Sequence, residues 1–316
     1  MTKKRILVLG GNKFLGKNVI EQIKVKIPDS EITSITRSGV NDKDIQSIVC
    51  DRTNKDDLNE KVRGEFDVVF DVSSYDLATL KPSLELLKNR VDTWAFVSSA
   101  GVYDKSDVFP LQTHFRKVSQ SSPHYGKFAC EEALRNTPNL HTFCIRPFYI
   151  YGPENTFDRE TFFFRAIEKE QEILIPDDGN ALLQFASVKD TASIFVDLAL
   201  KPKENTNKQV FHPCDKTIYS INSLIRVCGE VVNKAPKISY FSVKKAKNQG
   251  IPSRDIFPLR AENYFGDIES LNSLGLKTSD DLNTGISLTY QWFERNRDLY
   301  PSYTMMPQAE KYLMKI

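Results

Sequence analysis

Short apolar runs alternate with helical periodicities over the first 150 residues of the chain. Arg5–Gly10 predicts a strand, Leu15–Lys26 a helix and Glu31–Arg37 a second strand. Gln46–Cys50 follows as a third, then a charged helix near Lys55–Val62, and Phe66–Val72 as a fourth strand. A helix near Ala78–Arg90 contains Pro82, which leaves its first residue open. Trp94–Ser99 reads as a fifth strand, Pro123–Asn136 as a helix and Leu140–Arg146 as a sixth strand. Strands that are apolar almost throughout, separated by helices, belong to a parallel sheet covered on both faces. Right-handed crossovers make such a sheet doubly wound, so the expected fold class is α/β.

Beyond residue 150 the rhythm breaks. Ile173–Ile175, Phe185–Val188 and Val210–His212 are short and separated by loops and helices. A late helix puts Ile286, Tyr290 and Phe293 on one stripe that needs a packing partner. We expect a core over 1–150, to which 182–214 returns, and a smaller, interleaved C-terminal lobe on the substrate side from 151–181 and 215–316.

Composition narrows the class. Hydrophobic residues are 40% and charged residues 27%, ordinary globular usage that excludes global disorder. No apolar run approaches the roughly 20 residues that span a bilayer, so no membrane partner is expected. A net charge of +2 predicts no polyanion partner by itself. The five cysteines, Cys50, Cys130, Cys144, Cys214 and Cys228, have no C-x-x-C spacing, and the four histidines no metal spacing. The apolar run Ile6–Leu9 stops at Gly10-Gly11, too soon for a signal peptide, and a cytoplasmic, reducing location is expected.

The strongest chemical signal is Gly10-Gly11-Asn12-Lys13-Phe14-Leu15-Gly16, between the first strand and first helix. With only 14 glycines in 316 residues, three within seven carry information. A tight turn there aims backbone N–H groups and a helix N-terminus at a pyrophosphate. At the end of strand two, Thr36-Arg37-Ser38 holds no acid to accept from a ribose 2′-hydroxyl. Arg37, helped by Lys13, suits a 2′-phosphate, which favours NADP over the alternative, NAD.

Further segments join this loop: Phe96-Val97-Ser98-Ser99-Ala100-Gly101-Val102-Tyr103, Arg146-Pro147-Phe148-Tyr149-Ile150-Tyr151-Gly152-Pro153, Ile175-Pro176, Gln184-Phe185 and Val188-Lys189-Asp190. Together they resemble the extended short-chain dehydrogenase/reductase superfamily in its NAD-dependent epimerase/dehydratase branch. The loop is similar to that of the chloroplast stem-loop RNA-binding proteins. The resemblance implies a Rossmann core, a dinucleotide across the strand ends, and a homodimer. It implies that Gly10, Asn12, Lys13, Phe14, Leu15 and Gly16 hold the pyrophosphate, with Asp51 and Arg52 bordering adenine. It puts Ser73 near the middle of the cofactor and Pro147 near the nicotinamide. Tyr103, Tyr151, Asn155, Arg159 and Gln184 would touch substrate.

Such enzymes use a Ser or Thr hydroxyl, a Tyr that moves the proton, and a Lys that grips the nicotinamide ribose. Ser99 matches the hydroxyl. The Tyr and Lys should stand four apart, on one helix face. Here Tyr125 and Lys127 are two apart; four after Tyr125 stands Ala129, and four before Lys127 stands Pro123. Aligned on Lys127, Lys127-Phe128-Ala129-Cys130-Glu131 resembles the family's K-x-x-x-E run, with Ser122 as N-cap and Pro123 as first helical residue. His124, three before Lys127, is a candidate proton donor, as are Tyr125, Tyr103, Tyr149 and Tyr151.

Phe162-Phe163-Phe164 reads as packing in a second-lobe helix. Asn233–Arg260 sets Lys234, Lys237, Lys244, Lys245, Lys247, Arg254 and Arg260 against Asp255, either a solvated basic face or an attraction for nucleotide diphosphate or RNA phosphates. Two function classes stand. The first is an NAD(P)-dependent oxidoreductase or epimerase acting on a hydroxyl or keto carbon of a small polar substrate, with a nucleotide sugar in view. The second is a dinucleotide-binding, catalytically degenerate binding or regulatory protein, with RNA as one partner in view.

Overall fold

The computed structural model describes residues 3–104, 106–114, 118–155, 157–250, 259–279 and 281–299. The chain forms two compact units, Met1–Phe148 with Val188–Cys214 and Gly266–Thr278, and Tyr149–Ser187 with Asp215–Phe265 and Ser279–Ile316. The first opens with β1 (Arg5–Leu9), α1 (Phe14–Lys26), β2 (Glu31–Thr36), β3 (Gln46–Val49), α2 (Lys55–Lys61) and β4 (Phe66–Asp71). It continues with α3 (Leu77–Leu87), β5 (Val91–Val97), α4 (Tyr125–Arg135) and β6 (His141–Ile145). The chain then enters the second unit through β7 (Tyr149–Tyr151), α5 (Glu160–Glu168), β8 (Glu172–Pro176) and β9 (Leu182–Ser187). It returns to the first as α6 (Val188–Leu200), α7 (Lys203–Thr206) and β10 (Gln209–Phe211). The second resumes with β11 (Ile218–Ser220), α8 (Ile221–Val232), β12 (Lys237–Phe241) and α9 (Val243–Asn248). Lastly, α10 (Glu269–Asn272) falls in the first unit and α11 (Leu282–Arg295) in the second.

In the first unit seven parallel strands run in the order β10-β6-β5-β4-β1-β2-β3. Ile6, Leu7, Val8 and Leu9 are all fully buried, as a central parallel strand covered on both faces requires. Trp94, Phe96, Leu80 and Cys130 pack among the strands and helices of one face. The strand order reverses direction between β1 and β4, the place where doubly wound sheets bind ligands. The register pairs Leu9 with Asp71, Asp71 with Phe96 and Phe96 with Cys144. Gly10, Val72, Val97 and Ile145 therefore leave the sheet along one edge.

The second unit holds a three-stranded sheet in the order β11-β9-β7 and a parallel pair, β12 with β8. Because β9 pairs with β7 and β11, residues 182–187 sit in this unit, and the return to the first begins at Val188 rather than at 182. The run Phe185–Val188 accordingly divides: its strand ends at Ser187 and Val188 opens α6. The late stripe finds its partner in α5, where Phe164 meets Tyr290 at 5.0 Å and Phe293 at 5.7 Å between ring centroids. Phe163 and Phe164 are buried, as packing residues should be.

Helix α4 starts at Tyr125, not at Pro123. The Ser122 hydroxyl donates to Gly101 O at 2.6 Å and accepts from His124 N, so it braces the loop and His124 becomes the N-cap. Pro82 lies inside α3, whose start at Leu77 is set by a capping box between Asp76 and Thr79. All five cysteines are buried and none is in a disulfide. No helix among the described residues is long and apolar enough to cross a membrane.

Candidate functional site

The glycine loop forms a cradle whose floor is backbone. Gly10 adopts φ +98°, a left-handed value that favours glycine, and a Cβ there would stand 2.4 Å from Ser73 Oγ. The loops after β1 and β4 thus touch at the switch point, fastened by the Ser73 hydroxyl donating to Leu9 O at 3.0 Å. Gly16 sits in the first turn of α1 so close to the strand end that a Cβ would lie 1.9 Å from Gly10 O. Phe14 is left-handed at φ +43°, which costs a non-glycine residue about 1–2 kcal/mol. Leu15 is buried beneath the turn. Lys13 is the N-cap of α1 but makes no side-chain cap bond, and the first turn holds no acid. Asn54, Asp76, Ser220, Ser242 and Asp281 cap their helices with side chains, whereas α1 shares its lack of a side-chain cap with α4, α5, α7 and α10. The Lys13 side chain takes none of the first-turn amides of α1, of which Gly16 N donates to Lys13 O at 3.1 Å, and the loop fits a dinucleotide pyrophosphate.

Asn12 Nδ2 donates to Ser38 Oγ at 2.8 Å and ties the loop to the end of β2, where Arg37 is exposed. Asp51 is exposed and kept below the usual carboxylate range by the Thr53 hydroxyl and amide. Arg52 turns inward to the fully buried Asp71 at 3.2 Å. Asp71 also accepts from Ser74 N at 2.9 Å and the Ser74 hydroxyl, so this carboxylate shapes the loop after β4. Neither the Arg52–Asp71 pair nor Asp71 itself is foreseen from sequence, since only the fold brings β3 and β4 ends together.

Ser99 and Lys127 stand at the end of β5. Gly101 N donates to Ser99 Oγ at 3.0 Å, which leaves the hydroxyl proton to be given elsewhere. Lys127 Nζ donates to Val97 O at 2.8 Å and lies 5.2 Å from the Phe96 ring centroid and 5.9 Å from that of Tyr75. Burial pushes Lys127 down to about 8 against the pull of Asp71. Pro147, buried, accepts from Ala100 N at 3.0 Å just beyond.

Lys127 held in this way carries a stability cost at neutral pH. Below pH 8 the folded chain keeps a buried ammonium whose ordinary pKa is 10.5, and the unfolded chain binds more protons between those values. Lys127→Met is therefore expected to gain about 2 kcal/mol at pH 7, after allowance for the lost bond to Val97. The gain should fade as pH climbs from 8 through 10.5, as first the folded and then the unfolded chain's lysine loses its charge. Urea unfolding at pH 7 and pH 10 checks both the size and the slope.

The alignment on Lys127 has a structural counterpart one turn on. Glu131 accepts from Arg146 Nε at 2.9 Å and Nη2 at 2.5 Å, and from the Ser98 hydroxyl. Arg146 is 1% exposed and Glu131 2%, so the pair is a buried staple joining the ends of β5 and β6 to α4. The Arg146 guanidinium lies 4.7 Å from the Tyr103 ring centroid.

The sequence-nominated proton donors fare unequally. Tyr103 is buried, and its hydroxyl donates to His212 Nε2 at 2.7 Å. Burial pushes His212 down to about 3, so the ring is neutral and its Nδ1–H donates to Asp267 O at 2.9 Å. Tyr103 is thereby held in a buried hydrogen bond to His212. His124 packs its ring against Gly101, where a Cβ would stand 2.4 Å from His124 Cδ2. Tyr125 is exposed on the first turn of α4, with Ala129 one turn on.

In the second unit, Tyr151 and Arg159 help line a narrow, largely apolar cavity with Tyr149, Phe163, Phe185 and Leu224. Arg159 Nε is buried and has no hydrogen-bond partner among the described residues. Asn155 and Gln184 are buried and hold backbone and side chains: Asn155 Nδ2 donates to Glu160 at 3.0 Å, and Gln184 Nε2 to Asp215 O at 2.7 Å. In the basic stretch, Lys234 and Lys237 pair with Glu170, and Arg260 is not a surface charge but stacks 3.8 Å over Tyr264. Arg254 and Asp255 lie outside the described residues.

The family model described as NAD dependent epimerase/dehydratase family matches residues 6–212. The chain belongs to that family. The epimerase/dehydratase chain is 29% identical over 315 residues to the chloroplast stem-loop binding protein of 41 kDa b of Arabidopsis thaliana, covering 92% of this chain and 79% of the relative. It is 26% identical over 348 residues to a decarboxylating sterol-4-alpha-carboxylate 3-dehydrogenase of Candida albicans, covering 93% and 98%. Among solved structures, dTDP-glucose 4,6-dehydratase from Bacillus anthracis in complex with NAD superposes with a TM-score of 0.75 at 16% identity, over 94% of this chain and 98% of that one. That likeness is one of fold.

Proposed function

We propose that the protein is an NADP-preferring oxidoreductase or epimerase that acts on a hydroxyl or keto carbon of a small polar substrate, of the nucleotide-sugar class. The observation that carries this reading is the cradle at the switch point, where Gly10, Gly16 and Ser73 leave room only for backbone and the α1 N-terminus is uncapped by any side chain. When bound, the nicotinamide gives or takes a hydride. Ser99 holds the substrate oxygen, and Lys127 holds the nicotinamide ribose and keeps positive charge beside it. Arg37, Lys13 and Ser38, joined to the loop through Asn12, receive the 2′-phosphate of the adenine ribose. The family membership and the dehydratase of the same fold support the substrate class.

A thermal-shift and calorimetric titration with NADPH, NADH, NADP and NAD tests the reading. Ligand at 100 times its Kd adds about 2.7 kcal/mol, enough to move the melting point by several degrees. Arg37→Ala should weaken NADPH binding about tenfold or more while leaving NADH within about twofold. Equal loss for both cofactors would remove the NADP preference, and no binding of any of the four would remove the enzyme reading.

One observation favours the second class, a binding protein without turnover: Pro123 occupies the position of the family's tyrosine. The stem-loop binding relative adds to it, as do Lys244, Lys245 and Lys247 on α9. RNA held through phosphates would then be released by salt, with no turnover on any substrate.

A further inference from the structure

The position of the family's tyrosine, four before Lys127, holds Pro123, and the loop after β4 brings a phenol to it. Tyr75 is 45% exposed, and its hydroxyl donates to Pro123 O at 2.7 Å. Pro123 is the residue four before Lys127, from which the family's tyrosine would project. A phenol from another loop thus reaches the backbone that lost its own. The same ring has Lys127 Nζ 5.9 Å from its centroid and the His124 ring 6.0 Å away.

This arrangement is fixed on every side. Tyr75 N donates to Thr79 Oγ1 at 3.0 Å, Asp76 caps α3, and Ser74 is bound to Asp71. Gly126 admits the loop against α4: a Cβ at that position would meet Tyr75 O at 2.7 Å. Three of the tyrosines that the sequence put forward as donors are placed differently. Tyr103 is bound to His212, Tyr125 has Ala129 one turn on, and Tyr149 accepts from Arg260 at 3.2 Å.

Resting on the dinucleotide reading above, we propose that Tyr75 is the catalytic proton donor of this site, supplied from the β4–α3 loop in place of the tyrosine missing at position 123. In the reducing direction the Tyr75 O–H bond breaks and a new O–H bond forms at the substrate's carbonyl oxygen. The carbonyl carbon takes a hydride from reduced nicotinamide, which is oxidised in the step. The Lys127 ammonium, 5.9 Å from the ring centroid, offsets the charge of the phenolate, which regains its proton from water, to which Tyr75 is open. Oxidation runs the same transfers backward. The hydroxyl proton swings from Pro123 O to the substrate by rotation about its own C–O bond.

The test begins with the cofactor alone. Protein labelled with [ζ-13C]tyrosine is titrated with NADP, and the Tyr75 resonance is identified by its loss in Tyr75→Phe. That resonance is expected to shift as NADP saturates, while calorimetry finds Kd for NADP in Tyr75→Phe within about twofold of wild type. With NADPH and 9,10-phenanthrenequinone as the probe carbonyl, Tyr75→Phe should lower kcat by about 100-fold or more. A Tyr75 signal unmoved at saturation, or a variant kcat within threefold of wild type, overturns the assignment alone. Binding of neither NADP nor NAD to wild type overturns the dinucleotide reading and Tyr75's role with it.

Discussion

Glu131→Ala is expected to lower the unfolding free energy by about 3–5 kcal/mol, a large part of what an ordinary domain has. The change strands Arg146, 1% exposed, without the carboxylate that takes its Nε and Nη2. It also removes the acceptor of the Ser98 hydroxyl. Most of the cost comes from leaving a charge buried and unpaired, so an apolar double replacement, Glu131→Leu with Arg146→Met, should recover most of it. Urea unfolding of wild type, single and double variants reads the difference. A single-variant loss below about 1 kcal/mol would mean that water reaches the guanidinium. Because the staple joins Ser98, Lys127's helix and the residue before Pro147, weaker NADPH binding should accompany the lost stability.

Gly16→Ala is expected to cost cofactor affinity about 100-fold or more, the scale on which an ångström of misplacement is felt. The new methyl would lie 1.9 Å from Gly10 O and 2.9 Å from Gly10 C, both backbone atoms that cannot rotate away. Either α1 slides outward or the turn at Gly10 opens, and both displace the amides of the first turn. Calorimetry with NADPH, beside a melting curve to confirm folding, checks it. Affinity within threefold of wild type would mean that the cradle does not hold the pyrophosphate.

β1, β4, β5 and β6 were readable because each is a largely apolar run, whereas β2 and the edge strand β3 are only half apolar and showed through their β-branched residues. Such a run in a sheet covered on both faces needs no partner information to be recognised. The spacing of Lys127 and Glu131 was readable too, since one helical turn relates them. Tyr75 was not: it stands 52 positions before Lys127, and only the pairing of β4 with β5 brings their ends level. The same holds for Arg52 with Asp71 and for Tyr103 with His212, pairs whose members come from different elements. At α4 local chemistry misled. Ser122-Pro123 has the form of an N-cap and first helical residue, but the hydroxyl is taken by Gly101 O across the loop. In the second unit β7 and β11 span three residues each, too few for alternation to show.

The five buried thiols have a consequence for how the chain meets its surroundings. Burial pushes Cys50 and Cys130 up to about 12, and Cys144 and Cys228 well above the ordinary range, so thiolate is scarce while the chain is folded. Alkylating agents and peroxide then find their target only during opening. Cys50, Cys130, Cys144 and Cys214 belong to the first unit and Cys228 to the second. The chain thereby carries its own record of fluctuation: the order in which these sulfurs become modified tells which half has come apart first.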